Sequence, residues 1–190
     1  MKFSGLLSLL PLAVAAPAPA PAATETPQPD VFSIMSLRSA SPIHFGQVSA
    51  ALGNFFIHLA APNATCEGDV AGPSAYFQLE DGALVLYSTD GPRQQAYVDR
   101  SGMGQGNFGY TTDPTNPPRN GEVTGWAINE AGNLVFDGSE GLLACPNSID
   151  GAWSLWVSAG VTNPGGNEGC LGFSARTIGI DEPASCTYTS

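Results

Sequence analysis

Ala75-Tyr76-Phe77-Gln78-Leu79-Glu80-Asp81-Gly82-Ala83-Leu84-Val85-Leu86-Tyr87 decides the fold class of this chain. Two apolar runs flank Asp81-Gly82, a pair suited to the positive φ angles of a tight hairpin turn. A second stretch follows the same plan: Trp126-Ala127-Ile128, a turn ending at Gly132-Asn133, then Leu134-Val135-Phe136. Gly82 and Gly132 stand 50 positions apart, which hints at an internal repeat of a strand-rich unit. From Val31 onward short apolar stretches alternate with Gly, Pro, Asn and Asp, and none keeps a 3.6-residue period over three turns. Further strands are expected at Ile34 to Leu37, Ile43 to Phe45, Phe55 to Leu59, Ala96 to Asp99, Phe108 to Thr111, Leu142 to Cys145, Trp153 to Val157 and Leu171 to Ala175. The chain therefore reads as all-β, a compact single domain of about twelve short strands. A trefoil-like barrel of three related units is favoured and a β-sandwich is the alternative, since both limit exposed edges. Residues 48 to 52 have room for one helical turn, against which stand the bracketing Gly46 and Gly53.

At the N-terminus a single cation, Lys2, precedes an apolar run from Phe3 to Ala15. A bilayer span needs roughly 20 apolar residues, and Pro11 interrupts this run, so residues 1–15 read as a secretory signal cleaved between Ala15 and Ala16. Residues 16–30, rich in Ala and Pro, cannot bury a core and read as an extended, flexible leader, either O-glycosylated at Thr24 and Thr26 or a pro-segment removed later. Residues 31–190 are then one secreted all-β domain, soluble or wall-bound; Ser185 to Ser190 lacks the apolar tail of a GPI signal.

Cleavage removes the one lysine and leaves five arginines against 17 carboxylates. Nucleic acid and anionic lipid are poor partners for such a surface, because phosphate binding needs clustered cations. The four cysteines, Cys66, Cys145, Cys170 and Cys186, enter an oxidising compartment, where an even count implies disulfides. Three connectivities are open; the reading leans to Cys145 with Cys170, closing a hairpin, and Cys66 with Cys186, tying the domain's ends. Their spacings of 79, 25 and 16 do not resemble a zinc site.

Asn63-Ala64-Thr65, beside the turn-forming Pro62, is an acceptor sequence for N-glycosylation. Nucleophilic catalysis needs an activating base, yet His44 and His58 each alternate into an apolar stretch expected as strand and read as structural. Ser101-Gly102-Met103-Gly104-Gln105-Gly106 carries no Lys and opens no helix, so it reads as a tight or mobile loop rather than a phosphate cradle. A glycosidase pair would come from residues such as Asp99, Glu122, Glu130, Asp137 and Asp150, and spacing alone selects none of them. Exposed aromatic rings can stack on sugar faces, which makes Tyr110, Trp126 and Trp156 candidates for glycan contact. In Trp153-Ser154-Leu155-Trp156-Val157, alternation sets Trp153, Leu155 and Val157 on one face and Trp156 on the other, so Trp156 is the ring expected outside.

Three longer segments complete the reading: Leu37-Arg38-Ser39-Ala40-Ser41-Pro42-Ile43-His44-Phe45, Tyr97-Val98-Asp99-Arg100-Ser101-Gly102-Met103-Gly104-Gln105-Gly106 and Leu143-Ala144-Cys145-Pro146-Asn147-Ser148-Ile149-Asp150-Gly151-Ala152-Trp153-Ser154. Together they resemble the PhiA family of fungal cell-wall proteins, with the likeness running from about Val31 to Tyr188 and including the four cysteines and Asn63. The Ala-Pro leader is longer than that pattern. The resemblance implies a secreted wall protein with a role in asexual sporulation, in the formation of phialides and conidia, some members being secreted antigens. It implies no cofactor and supplies no catalytic residue. A structural wall protein is thus the leading reading, not an enzyme, with wall polysaccharide or wall proteins as partners. A non-catalytic carbohydrate-binding module for chitin or β-glucan is the alternative, and a small glycoside hydrolase the third. Without a GPI signal or a glutamine-bearing tandem repeat, wall attachment is expected to be non-covalent.

Overall fold

The computed structural model describes Met1 and residues 28–69, 72, 74–139 and 141–190. The rest of the expected signal, residues 2–15, and residues 16–27 of the expected leader lie outside the described residues.

The strands in chain order are β1 (Phe32–Leu37), β2 (Val48–Ala51), β3 (Asn54–Ile57), β4 (Thr65–Cys66), β5 (Phe77–Glu80), β6 (Ala83–Leu86), β7 (Gln94–Asp99), β8 (Asn107–Thr111), β9 (Trp126–Ile128), β10 (Asn133–Phe136), β11 (Leu142–Cys145), β12 (Trp153–Val157), β13 (Leu171–Gly179) and β14 (Cys186–Thr187). The fold is all-β, dominated by an antiparallel sheet of 12 strands, with β4 and β14 forming a separate pair. Hydrogen-bonded neighbours follow the order β1-β5-β6-β7-β8-β3-β12-β11-β13-β10-β9, with β2 against β3. Because β1 also pairs with β13, from Phe32↔Gly179 to Leu37↔Ser174, the ladder returns on itself as a circuit.

The hairpin read from Asp81-Gly82 is present, with Leu79 opposite Leu84 and Glu80 opposite Ala83. Its turn residues have φ of 50° and 80°, the pair of positive angles that lets a two-residue turn follow strand twist. The second hairpin pairs Ile128 with Leu134 and Trp126 with Phe136. Its turn closes through Gly132 N–H to Asn129 O at 2.8 Å and Asn133 N–H to Asn129 Oδ1 at 3.0 Å.

Two expectations are corrected. Residues 48–52 are not a helical turn: Val48 and Ala50 alternate into the core as strand β2, and Leu52-Gly53, with φ of 50° and 69°, turns the chain into β3. Residues Ile43 to Phe45 are not a strand but part of a turn. Buried Ser36 reaches across that loop, its Oγ donating to the carbonyls of Ile43 and Gly46, while its own backbone carbonyl accepts from Phe45 N–H at 2.9 Å. Phe45 takes a φ of 62°, which no continuing strand allows. His44 therefore lies in a turn rather than a strand, and His58, at φ 63°, lies just beyond β3.

The core is a chain of rings running through the inner faces. Phe32 packs on Phe77 at 6.1 Å, Phe77 on Phe55 at 5.6 Å, Phe55 on Phe108 at 4.4 Å, Phe108 on Trp126 at 4.8 Å, and Trp126 on Phe136 at 4.8 Å. Burying each such ring stabilises the fold by about 1.5–3 kcal/mol, so this row dominates the packing energy. The last residues seal one side of it. Buried Gln94 donates from Nε2 to Tyr188 O at 2.8 Å and accepts Tyr188 N–H at 2.8 Å, imitating a strand pair with a side chain.

Candidate functional site

On β12, Leu155 and Val157 enter the core and Trp153 packs against it, so the pleat turns Ser154 and Trp156 outward. On β3 the same alternation sends Phe55 and Ile57 inward and places Asn54 and Phe56 on the opposite face, where Phe56 is itself buried with Ala51, Leu59 and Ala152. On β8, Phe108 and Tyr110 face in, and Asn107 lies opposite Trp156 in the ladder. Three adjacent strands thus present one outer surface, which floors a cleft of about 330 Å³.

The walls come from loops. Leu52 stands at one rim, 58% exposed, in the positive-φ turn before β3. The chain's end holds that turn: Leu52 N–H donates to Thr189 Oγ1 at 3.0 Å and Gly53 N–H to Thr189 O at 3.1 Å. Ser148 and Ile149, the latter 39% exposed, come from the 146–152 loop, and Asn167 from the 158–170 loop.

Half-buried Trp156 is fixed in place. Its Nε1 donates to Ser154 Oγ at 3.1 Å, and the far edge of its ring approaches Gly165 so closely that a Cβ there would lie 2.7 Å from Cη2. Gly165 N–H in turn donates to Gln105 Oε1 at 2.8 Å, tying this wall to the 101–106 loop. None of the lining residues has an ionisable side chain. An aromatic ring with apolar rims, ringed by amides and hydroxyls and free of charge, can bind a neutral ligand having both an apolar face and polar edges.

Tyr110 and Trp126, expected beside Trp156 as glycan contacts, are in the core, each 3% exposed. Tyr110 packs 5.3 Å from Phe55 and donates its hydroxyl to Thr189 O, while Trp126 is clasped between Phe108 and Phe136. Both sit on the inward phase of their strands, so neither can meet a polymer outside. Conversely, Leu52, Asn54, Asn107, Ile149 and Asn167 were not among the expected site residues. The available signal was weak: alternation marks Asn54 and Asn107 as outward, but nothing local brings them beside Trp156.

His44, His58, Asp99, Glu122 and Asp137 have structural partners. His58 Nε2 lies 2.9 Å from Pro42 O and so donates to it; His44 stacks on Phe45 at 3.8 Å, and its Nδ1 accepts Arg38 N–H at 3.1 Å. Asp99 Oδ1 accepts Ser101 N–H at 2.9 Å within the glycine-rich loop, whose Gln105 and Gly106 amides donate to Ser101 O and Asp99 O. Those amides are turned into the loop and cannot cradle a phosphate. Of the five carboxylates considered for hydrolysis, Glu122 and Asp137 come together on one Arg100. Its guanidinium, 4.9 Å above the Phe136 ring, binds both. Asn63 is exposed, at φ 55°. Disulfides join Cys66 to Cys186 and Cys145 to Cys170. The second ties the base of both loops that wall the cleft, since Cys145 ends β11 and Cys170 precedes β13.

Residues 32–189 match the family described as PhiA-like secreted protein. The chain belongs to the PhiA-like secreted protein family. It is 50% identical to cell wall protein phiA of Emericella nidulans over 191 residues, covering 100% of both chains. It is 47% identical over 159 residues to the protein of that name from Aspergillus niger, covering 84% of this chain and 85% of the relative. Over 169 residues it is 39% identical to the one from Arthroderma benhamiae, covering 86% and 89%. No solved structure matches the chain. The family match spans every strand and both disulfides, so the cleft lies wholly within the shared region.

Proposed function

We propose that this chain is a non-enzymatic cell wall protein that holds wall polysaccharide without covalent linkage through the Trp156 cleft, and that it serves asexual sporulation in this way, in phialide and conidium formation. The observation that carries the reading is Trp156 on the outer face, braced by Gly165 and Ser154 and flanked by apolar rims in an uncharged cleft. The names of the relatives, cell wall protein phiA, support residence in the wall. Secretion with cleavage after Ala15, N-glycosylation of exposed Asn63, and two disulfides belong to the same reading. The circuit of strand pairings supports a barrel over a sandwich, and the three-unit trefoil form is the version we favour.

The test is co-sedimentation of the secreted chain with purified chitin and β-glucan, with assay of the supernatant for released sugar. Saturable binding without release is the expected result, together with extraction from walls by hot detergent alone. Trp156→Ala should weaken binding by about two- to tenfold, the loss of an aromatic contact being worth roughly 0.5–1.5 kcal/mol. Sugar release, or binding that ignores Trp156, would overturn the reading.

A further inference from the structure

A two-residue turn with positive φ at both positions favours Asn, Asp or Gly in the first, because short or absent side chains tolerate the left-handed region. Three turns of this chain obey that rule. Asp81-Gly82 has φ of 50° and 80°, Asp137-Gly138 of 48° and 72°, and Asp150-Gly151 of 49° and 75°. Gln105-Gly106, at 54° and 95°, also places a polar side chain there, and that side chain is used, since its Oε1 accepts Gly165 N–H. Leu52-Gly53, at 50° and 69°, breaks the rule. Among the described residues it is the one such pair led by a bulky hydrocarbon. Nor does burial offset the cost, because Leu52 is 58% exposed.

The turn is nevertheless held firmly. Ala51 pairs with Asn54 across it, Thr189 accepts both Leu52 N–H and Gly53 N–H, and Asn54 Nδ2 donates to Leu52 O at 2.8 Å. Strained backbone persists where its surroundings over-determine it, and it gathers at binding sites. A side chain that suits neither its turn nor its exposure, on a turn this well tied, points to a contact made outside the chain. Its place says which contact. Leu52 lines the same uncharged cleft as Trp156, and Ile149, itself 39% exposed, lines it too. A sugar lying on the ring presents CH groups to such aliphatic neighbours and hydroxyls to the surrounding amides and serines. Because the backbone under Leu52 is already fixed, covering its side chain costs little further ordering.

We infer that Leu52 is a ligand contact of the Trp156 cleft, kept at an unfavourable turn position because its hydrocarbon closes over a sugar seated on the ring; this rests on the glycan reading above. The experiment combines thermal melting with binding isotherms on chitin and β-glucan, for the secreted chain and four variants: Leu52→Asn, Leu52→Met, Asp81→Leu and Trp156→Ala. Leu52→Asn, which suits the turn and removes the hydrocarbon, should raise the melting midpoint by about 2–4 °C while weakening binding by about three- to tenfold. Leu52→Met keeps an apolar side chain at the same φ and should hold both values near those of the parent chain. Asp81→Leu sets the same misfit in a turn that does not line the cleft, and should lower the midpoint while leaving binding unchanged. Opposite signs for stability and binding cannot come from a residue that merely supports the fold. Should Leu52→Asn gain stability and bind as before, the contact is refuted, and weaker binding by Trp156→Ala would leave the glycan site standing. Should Leu52→Asn melt below the parent, Leu52 serves the fold and the inference fails. Absence of parent-chain binding to both polymers would remove the glycan reading and the inference together.

Discussion

At Gly165, φ is +64° and a Cβ would stand 2.7 Å from Trp156 Cη2, so a side chain there is opposed by its own backbone and by the ring. Gly165→Ala should cost about 1–3 kcal/mol in stability. The displaced ring should also lose glycan affinity by about two- to tenfold. Thermal melting and titration on the same preparation check the two effects separately. Ser36 carries a comparable burden in the core, where one buried hydroxyl serves the carbonyls of Ile43 and Gly46 and seats the loop that bears exposed Phe45. Ser36→Ala removes the hydroxyl's bonds to carbonyls that keep their backbone partners, Gly46 N–H on Ile43 O and Ser36 N–H on Gly46 O, and should cost about 1 kcal/mol by denaturant unfolding, with glycan binding unchanged. Neither role was readable in advance. Gly165-Gly166 looks like any turn, and Ser36 looks like an ordinary strand residue, because the atoms that give each its meaning come from distant segments.

Among the elements, β12 was the most legible. Its period-two pattern placed Trp156 opposite Leu155 and Val157, and the burial of those two residues follows it. The same argument, applied to β8 and β9, would have sent Tyr110 and Trp126 inward with Phe108 and Ile128. Treating them as free rings neglected that alternation. Strand β2 was hidden by its small residues, Val48 to Ala51, and by turn residues at both ends, which imitate a helical turn when pairing with β3 is unknown. The Cys145–Cys170 bridge belongs to this scale because it closes the segment holding both cleft loops. Beside it, β11 keeps its ladders with β12 and β13, including Ala144 opposite Leu171. Replacing both cysteines by serine should lower stability by about 3 kcal/mol through the 25-residue closure. The strand content by circular dichroism should stay as it was, while glycan affinity falls as the walls loosen.

Across the whole molecule, the C-terminal segment works as a latch. Cys186 is bonded to Cys66 across a separation of 120 residues, Tyr188 accepts Tyr76 N–H at 3.0 Å through its hydroxyl, and Thr189 holds both the Tyr110 hydroxyl and the Leu52-Gly53 turn. Burial pushes the phenols of Tyr110 and Tyr188 up to about 12. In the unfolded chain they titrate near pH 10, so the contribution of these phenols to stability is whole below pH 10 and is lost as the pH rises from about 10 through 12. Unfolding free energies measured by denaturant titration across that window should fall by about 2–3 kcal/mol for each phenol, the free-energy equivalent of the shift. Tyr110→Phe should flatten the slope, at a cost of about 1 kcal/mol near neutrality for the hydroxyl's lost bond to Thr189.

The chain's own pattern determined what depends on near neighbours: the all-β class, the Asp81-Gly82 turn with its two positive φ angles, and the face of β12 on which Trp156 stands. Strand alternation and turn chemistry are local, and they can be read one segment at a time. The tertiary structure alone decided which strands became neighbours, and with them the cleft. Asn54, Asn107, Trp156 and Asn167 are scattered along the chain and meet because β3, β8 and β12 pair side by side over a shared aromatic core. That choice is made by long-range packing, whose energy belongs to the assembled core and to no single stretch of residues.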